Sequence, residues 1–143
     1  WRRRTQLQRQ TNDASILLVD TIGELGAWWG TPHIAYVGGS MGSRGGQNMI
    51  EPAAYGAALS FRPNTWNFRD IVQMVLAANA AVVVQDGDEL TSFVRRCLED
   101  SDWANQLGNA ALDLVAQQLG ATKRTIDAIE PLLPRQKSQR IAA

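Results

Sequence analysis

Ile34-Ala35-Tyr36-Val37-Gly38-Gly39-Ser40-Met41-Gly42-Ser43-Arg44-Gly45-Gly46-Gln47-Asn48-Met49-Ile50-Glu51-Pro52 decides the fold class. It opens on a short apolar run, passes five glycines within residues 38–46, and reaches a proline suited to an early helix position. A buried strand that breaks into a glycine loop and then a helix is one strand–helix unit of a parallel sheet. Glycines permit positive φ and close backbone approach, and a helix start presents N–H groups that lack intrahelical partners. The pattern predicts an anion site for a nucleotide phosphate, with Ser40, Gly45, Gly46 and Gln47 as the phosphate loop. A long flexible loop is the competing reading of the same glycines. The segment has no Gly-Lys-Ser/Thr, and no Gly-x-Gly-x-x-Gly with a ribose-binding acid about 20 residues on. Generic ATP and NAD sites are therefore disfavoured.

Outward from this stretch the alternation repeats. Residues 16–20 read as a buried parallel strand ending in an acid, 57–61 as an alanine-weakened one, and 81–84 as a fourth. Short helices are expected over 23–29 and 48–55, and a longer one over 67–78, capped by Asn67 with Asp70. In 89–99, Leu90, Phe93, Val94, Cys97 and Leu98 recur at helical spacing, so Cys97 reads as core rather than nucleophile. A helix over 102–119 starts at a Ser101 cap, holds Gly108 inside it and stops at Gly120; the last helix covers 122–130. Short connections between strands and helices imply an α/β fold, a Rossmann-like parallel sheet flanked by helices. Ligands in such sheets bind at the carboxyl ends of the strands. The loops at Ile22-Gly23-Glu24, 38–48 and 64–70 all fall there.

The whole chain has 143 residues, 14 Lys+Arg against 14 Asp+Glu, one His and one Cys, with 45% hydrophobic residues. One domain of this size buries a core without disulfide or metal staples. Cys97 has no internal disulfide partner, and a single His33 offers no Cys/His cluster. Between residues 11 and 134 all fourteen acids face seven bases, while the remaining bases sit at the ends. A nucleic-acid binder carries its basic face on the folded body, so that class is disfavoured. Residues 1–13, beginning with Trp1 and three arginines, read as a remnant of an upstream segment, 14–133 as an incomplete nucleotide-sugar-binding domain, and 134–143 as a basic tail. No apolar run approaches the ~18 residues of a membrane span.

Four blocks, Val19-Asp20-Thr21-Ile22-Gly23-Glu24-Leu25, Ile34-Ala35-Tyr36-Val37-Gly38-Gly39-Ser40, Gly45-Gly46-Gln47-Asn48-Met49-Ile50-Glu51-Pro52-Ala53 and Asn67-Phe68-Arg69-Asp70, resemble the 3-deoxy-D-manno-octulosonic acid (Kdo) transferases in order and spacing. That family has the GT-B fold, two Rossmann-like halves facing a cleft, and this chain resembles most of the C-terminal, donor-binding half. The resemblance implies metal-independent, inverting transfer of Kdo from CMP-Kdo to a lipid A precursor, without a cofactor, on the cytoplasmic face of the bacterial inner membrane. It implies CMP contacts from Ile22, Gly23 and Glu24 and from Asn48, Met49, Ile50 and Glu51. The family's general base is a glutamate of the N-terminal half, as are its membrane anchor and the acceptor site, so these 143 residues are expected to be inactive alone.

Two positions depart from the family pattern. Gln47 stands where many members have His, and Arg62 where Gly usually precedes Pro63. Two other functions fit the loops taken alone: a GT-B transferase for another nucleotide sugar, and a non-catalytic nucleotide-binding module.

Overall fold

The central strand is β4, Ala58–Phe61, whose four residues are all buried. The computed structural model describes residues 1–7 and 14–133. In it β4 lies between β3 (Ile34–Val37) and β5 (Ala81–Val83), parallel to both, with Ile34 opposite Ala58 and Leu59 opposite Ala81. Side chains alternate across a strand, so the sheet has two apolar faces. Leu59 and Phe61 join Ala35 and Val37 on one face, with Met49, Ala53 and Val75. Ala58 turns to the other face, where Phe93 and Cys97 meet Leu107. Ser60, on that strand, donates to the Ala35 carbonyl at 3.3 Å.

Helices cover both faces. Helix α1 is Leu25–Trp28, α2 is Ile50–Ala53, and α3 is Arg69–Ala77, which buries Val75. Helix α4, Gly87–Glu99, lays Phe93 and Cys97 on the sheet. Its cap is Asp86, whose carboxylate accepts from the N–H groups of Asp88 and Glu89 at 2.9 Å each. Helix α5, Ser101–Gln118, is capped by Asp100 rather than by Ser101, because Asp100 Oδ1 reaches the Trp103 N–H at 3.0 Å and Ser101 already lies within the helix. Helix α6, Ala121–Ile129, follows Gly120, which takes φ +78° as the sequence expects of a helix stop.

Gly108 in α5 is there for close approach. A Cβ on it would run into the Gly56 carbonyl, in the turn that leads into β4. Ala57 borders the same tight contact, and both it and Ala58, the alanines that weaken this strand's signature, are fully buried.

One strand differs from expectation. The 16–20 run was expected to be buried in the parallel sheet, but β2 is only Leu17–Leu18 and pairs with β1, Arg2–Arg3, in a separate two-stranded parallel sheet. Ile16 is 65% and Leu18 48% exposed. Apolar composition reports what a strand's side chains favour, not which sheet receives them, and here the neighbour is a pair of arginines. The first residues, read as an upstream remnant, pair through β1 with Leu17–Leu18, while 8–13 and the tail 134–143 lie outside the described residues. Among the described residues, no helix is long and apolar enough to cross a membrane.

Candidate functional site

The chain leaves β3 at its carboxyl end and folds the glycine loop back on itself. Gly45 and Gly46 take φ +80° and +92°, values that favour glycine, and the Gly46 N–H donates to the Gly39 carbonyl at 3.1 Å. The loop after β4 clamps it from outside. Asn67 donates from Nδ2 to the Arg44 carbonyl at 2.8 Å and from its backbone N–H to the Gly45 carbonyl at 3.2 Å. Trp66 lies so close over Gly45 that a Cβ there would strike its ring. Asn67 is thus a brace for the glycine loop. It is not the α3 cap expected from sequence, since the cap position falls at Phe68 and carries no side-chain bond.

Beneath β3, Ser40 is fully buried. Its Oγ donates to the Val37 carbonyl at 2.9 Å and accepts from the Arg62 N–H at 3.0 Å, tying the ends of β3 and β4 together. The Arg62 Nε is buried and has no hydrogen-bond partner among the described residues.

A cleft of about 200 Å³ opens between α1 and the turn into α2, lined by Leu25, Trp29, Tyr36, Gln47, Asn48 and Glu51 with nearby backbone. Its polar centre is Glu51. Asn48 Nδ2 donates to Glu51 Oε1 at 3.1 Å, and Trp29 Nε1 donates to Glu51 Oε2 at 3.1 Å. Asn48 Oδ1 accepts from the Ile50 N–H, also at 3.1 Å, and because that group can only donate, the carboxamide's orientation is fixed. A carboxylate has about four lone-pair sites, so two are left open among the described residues.

Ile50 opens α2 and gives its N–H to Asn48, and the other predicted site residues fall into three groups. Gln47, Asn48 and Glu51 come together on the cleft wall. Ser40 and Met49 are fully buried, and Gly45 and Gly46 are buried in the loop, so these four shape the turn from within. Ile22, Gly23 and Glu24 lie one step away: Glu24 occupies the cap position of α1, whose Leu25 and flanking Trp29 line the cleft, while Ile22 is fully exposed. Glu24 accepts from Thr21 Oγ1 at 2.9 Å and pairs with Arg4 Nε at 3.2 Å. Asp20, beside it, is held below the ordinary carboxylate range by the Thr5 hydroxyl and the Thr5 N–H.

The expected helix over 48–55 is shorter than read, only the four residues of α2. Its first N–H is taken by Asn48 and the Gly46 N–H by Gly39, so the anion site expected of free helix N–H groups is much reduced. Sequence reading missed Trp29 and Tyr36 as lining residues. Trp29 lies 22 residues from its partner Glu51, and no local pattern announces such a pair.

The architecture is the α/β, Rossmann-like parallel sheet of the C-terminal half of a GT-B transferase. The crystal structure of the C-terminal CMP-Kdo binding domain of WaaA from Acinetobacter baumannii matches with TM-score 0.73 at 28% identity, over 79% of this chain and 59% of that one. Over most of its length the chain is a homologue of the Kdo transferases. It is 36% identical to that of Bordetella pertussis over 118 residues, 82% of this chain, and 31% identical to that of Haemophilus influenzae over 135 residues, 90% of this chain. It spans 28% and 32% of the length of these two relatives. No protein-family model matches the chain.

Proposed function

We propose that this chain is the CMP-Kdo-binding half of a Kdo transferase, which moves Kdo from CMP-Kdo to a lipid A precursor in lipopolysaccharide synthesis. The observation that supports it best is the Glu51 cleft at the carboxyl end of β3, in a chain homologous to those transferases. The two lone-pair sites left on Glu51 suit the two hydroxyls of a ribose. Ile22, Gly23 and Glu24 approach the nucleotide from the α1 side, and Asn48, Met49 and Ile50 give the opposing turn its shape. Ser40, Gly45 and Gly46 hold the loop, and the exposed Gln47 carboxamide donates to the phosphate at its rim.

The chemistry divides between two halves. A base in the other half takes the proton of the acceptor hydroxyl, whose oxygen attacks the anomeric carbon. The bond from that carbon to the phosphate oxygen breaks, and CMP leaves with the electron pair. Here the residues of this chain bind CMP and stabilise the charge growing on its phosphate, an electrostatic contribution. The acceptor, the base and the contact with the cytoplasmic face of the inner membrane belong to the rest of such a transferase, so this chain alone binds donor without transferring it.

Nucleotide preference tests the reading. CMP should protect the chain against thermal unfolding more than UMP or AMP does; a tenfold affinity preference amounts to ~1.4 kcal/mol at saturation. Equal protection by all three would favour a generic nucleotide module, and no protection by CMP would overturn the reading.

A further inference from the structure

We propose that Trp29 is a positioning residue for Glu51, and that through this pair the cleft selects a ribonucleotide over its 2′-deoxy counterpart. The inference rests on the CMP reading above and deepens it.

Three observations carry it. First, Trp29 Nε1 donates to Glu51 Oε2 at 3.1 Å, and Asn48 Nδ2 to Oε1 at the same distance, so the carboxylate is gripped on both oxygens. Second, Trp29 and Glu51 line the same cleft, Trp29 from the end of α1 and Glu51 from the first turn of α2. Third, the Trp29 ring packs against the buried cluster of Val37, Met49 and Ala53, which limits its freedom to swing away. Glu51 on its own is a flexible side chain on a four-residue helix, and holding it toward a diol would cost side-chain entropy at each binding event. The indole bears that cost during folding. A rigid ring anchored in the core is the better of the two partners for this, because Asn48 belongs to the same turn as Glu51 and moves with it.

A merely structural tryptophan and a positioning one differ in a single readout, the ratio of affinities for CMP and 2′-deoxy-CMP. Trp29→Phe keeps a ring against the core and removes the N–H. Titration calorimetry with CMP and 2′-deoxy-CMP on the wild-type chain and on Trp29→Phe should show CMP binding weakened roughly tenfold. Binding of 2′-deoxy-CMP should change less than twofold, so the preference of the site for ribose collapses. Trp29→Leu, which keeps an apolar side chain on the wall and carries no donor, is the second variant and should lower the ratio in the same way. Equal loss for both ligands would mean that Trp29 serves only packing, and no loss would mean that Asn48 holds Glu51 unaided; either overturns the inference. A wild type that binds neither ligand would overturn the CMP reading itself, a failure distinct from these two.

Discussion

Asn48 grips Glu51 and the backbone at once: its Nδ2 donates to Glu51 Oε1 while its Oδ1 accepts from the Ile50 N–H, each at 3.1 Å. One carboxamide thereby closes the turn after the glycine loop and holds one oxygen of the carboxylate that faces the cleft.

Glu51→Gln puts a neutral amide where the proposed ribose contact lies. It should weaken CMP binding by ~1.5–3 kcal/mol, the range for hydrogen bonds to a charged group. With 2′-deoxy-CMP the wild type has already lost part of that energy, and the mutation should add little. Calorimetry on this two-by-two set decides the matter. Equal losses for both ligands would assign Glu51 to the turn alone.

Gly108→Ala tests the contact between α5 and the turn before β4. In an ordinary helix interior this change stabilises by roughly 0.5–1 kcal/mol. Here the new Cβ meets the Gly56 carbonyl, which is backbone and moves only with its turn. Overpacking of this kind costs ~1–3 kcal/mol. The melting temperature should fall by several degrees, and a rise would show that the two elements are not in close contact.

Cys97 carries a pH signature. Burial pushes its thiol up, against a weaker downward pull from Arg96. Its folded value therefore lies above the unfolded value of ~8.5. The contribution is fully present below the unfolded value and is lost as pH rises through the folded one. Denaturant titrations should show the stability advantage of wild type over Cys97→Ala shrinking as pH rises beyond ~8.5. A difference that stays constant to high pH would contradict burial of the thiol. A disulfide reagent should also react with the native chain far more slowly than with the unfolded one.

Where the signal was local, sequence and structure agree. The apolar run at 34–37, the helical spacing of Phe93 and Cys97, and the stop at Gly120 each depend on neighbours within a turn or a strand, and each element stands where it was expected. The errors lie where the deciding partner is remote. Leu17 and Leu18 look like core but pair with Arg2 and Arg3, and Asn67 looks like a cap but braces Arg44 and Gly45, more than 20 residues earlier. Ser101 lost the cap of α5 to its neighbour Asp100, a one-residue ambiguity inherent in a run of polar residues. In the candidate site the sequence pointed to Asn48 and Glu51, whereas Trp29 emerged only when α1 was folded against α2.

CMP is expected to bind between α1 and the turn at 47–51. Mapping amide and indole shifts by nuclear magnetic resonance during a CMP titration tests it most directly. Changes should be confined to Gly38, Gln47, Asn48, Glu51 and the Trp29 indole, with the adjoining 22–25 segment, and should saturate with a single dissociation constant. Signals should stay unchanged for Leu90, Val94 and Leu98, which line a separate groove on α4. Shifts centred on that groove, or no shifts at millimolar CMP, would contradict it.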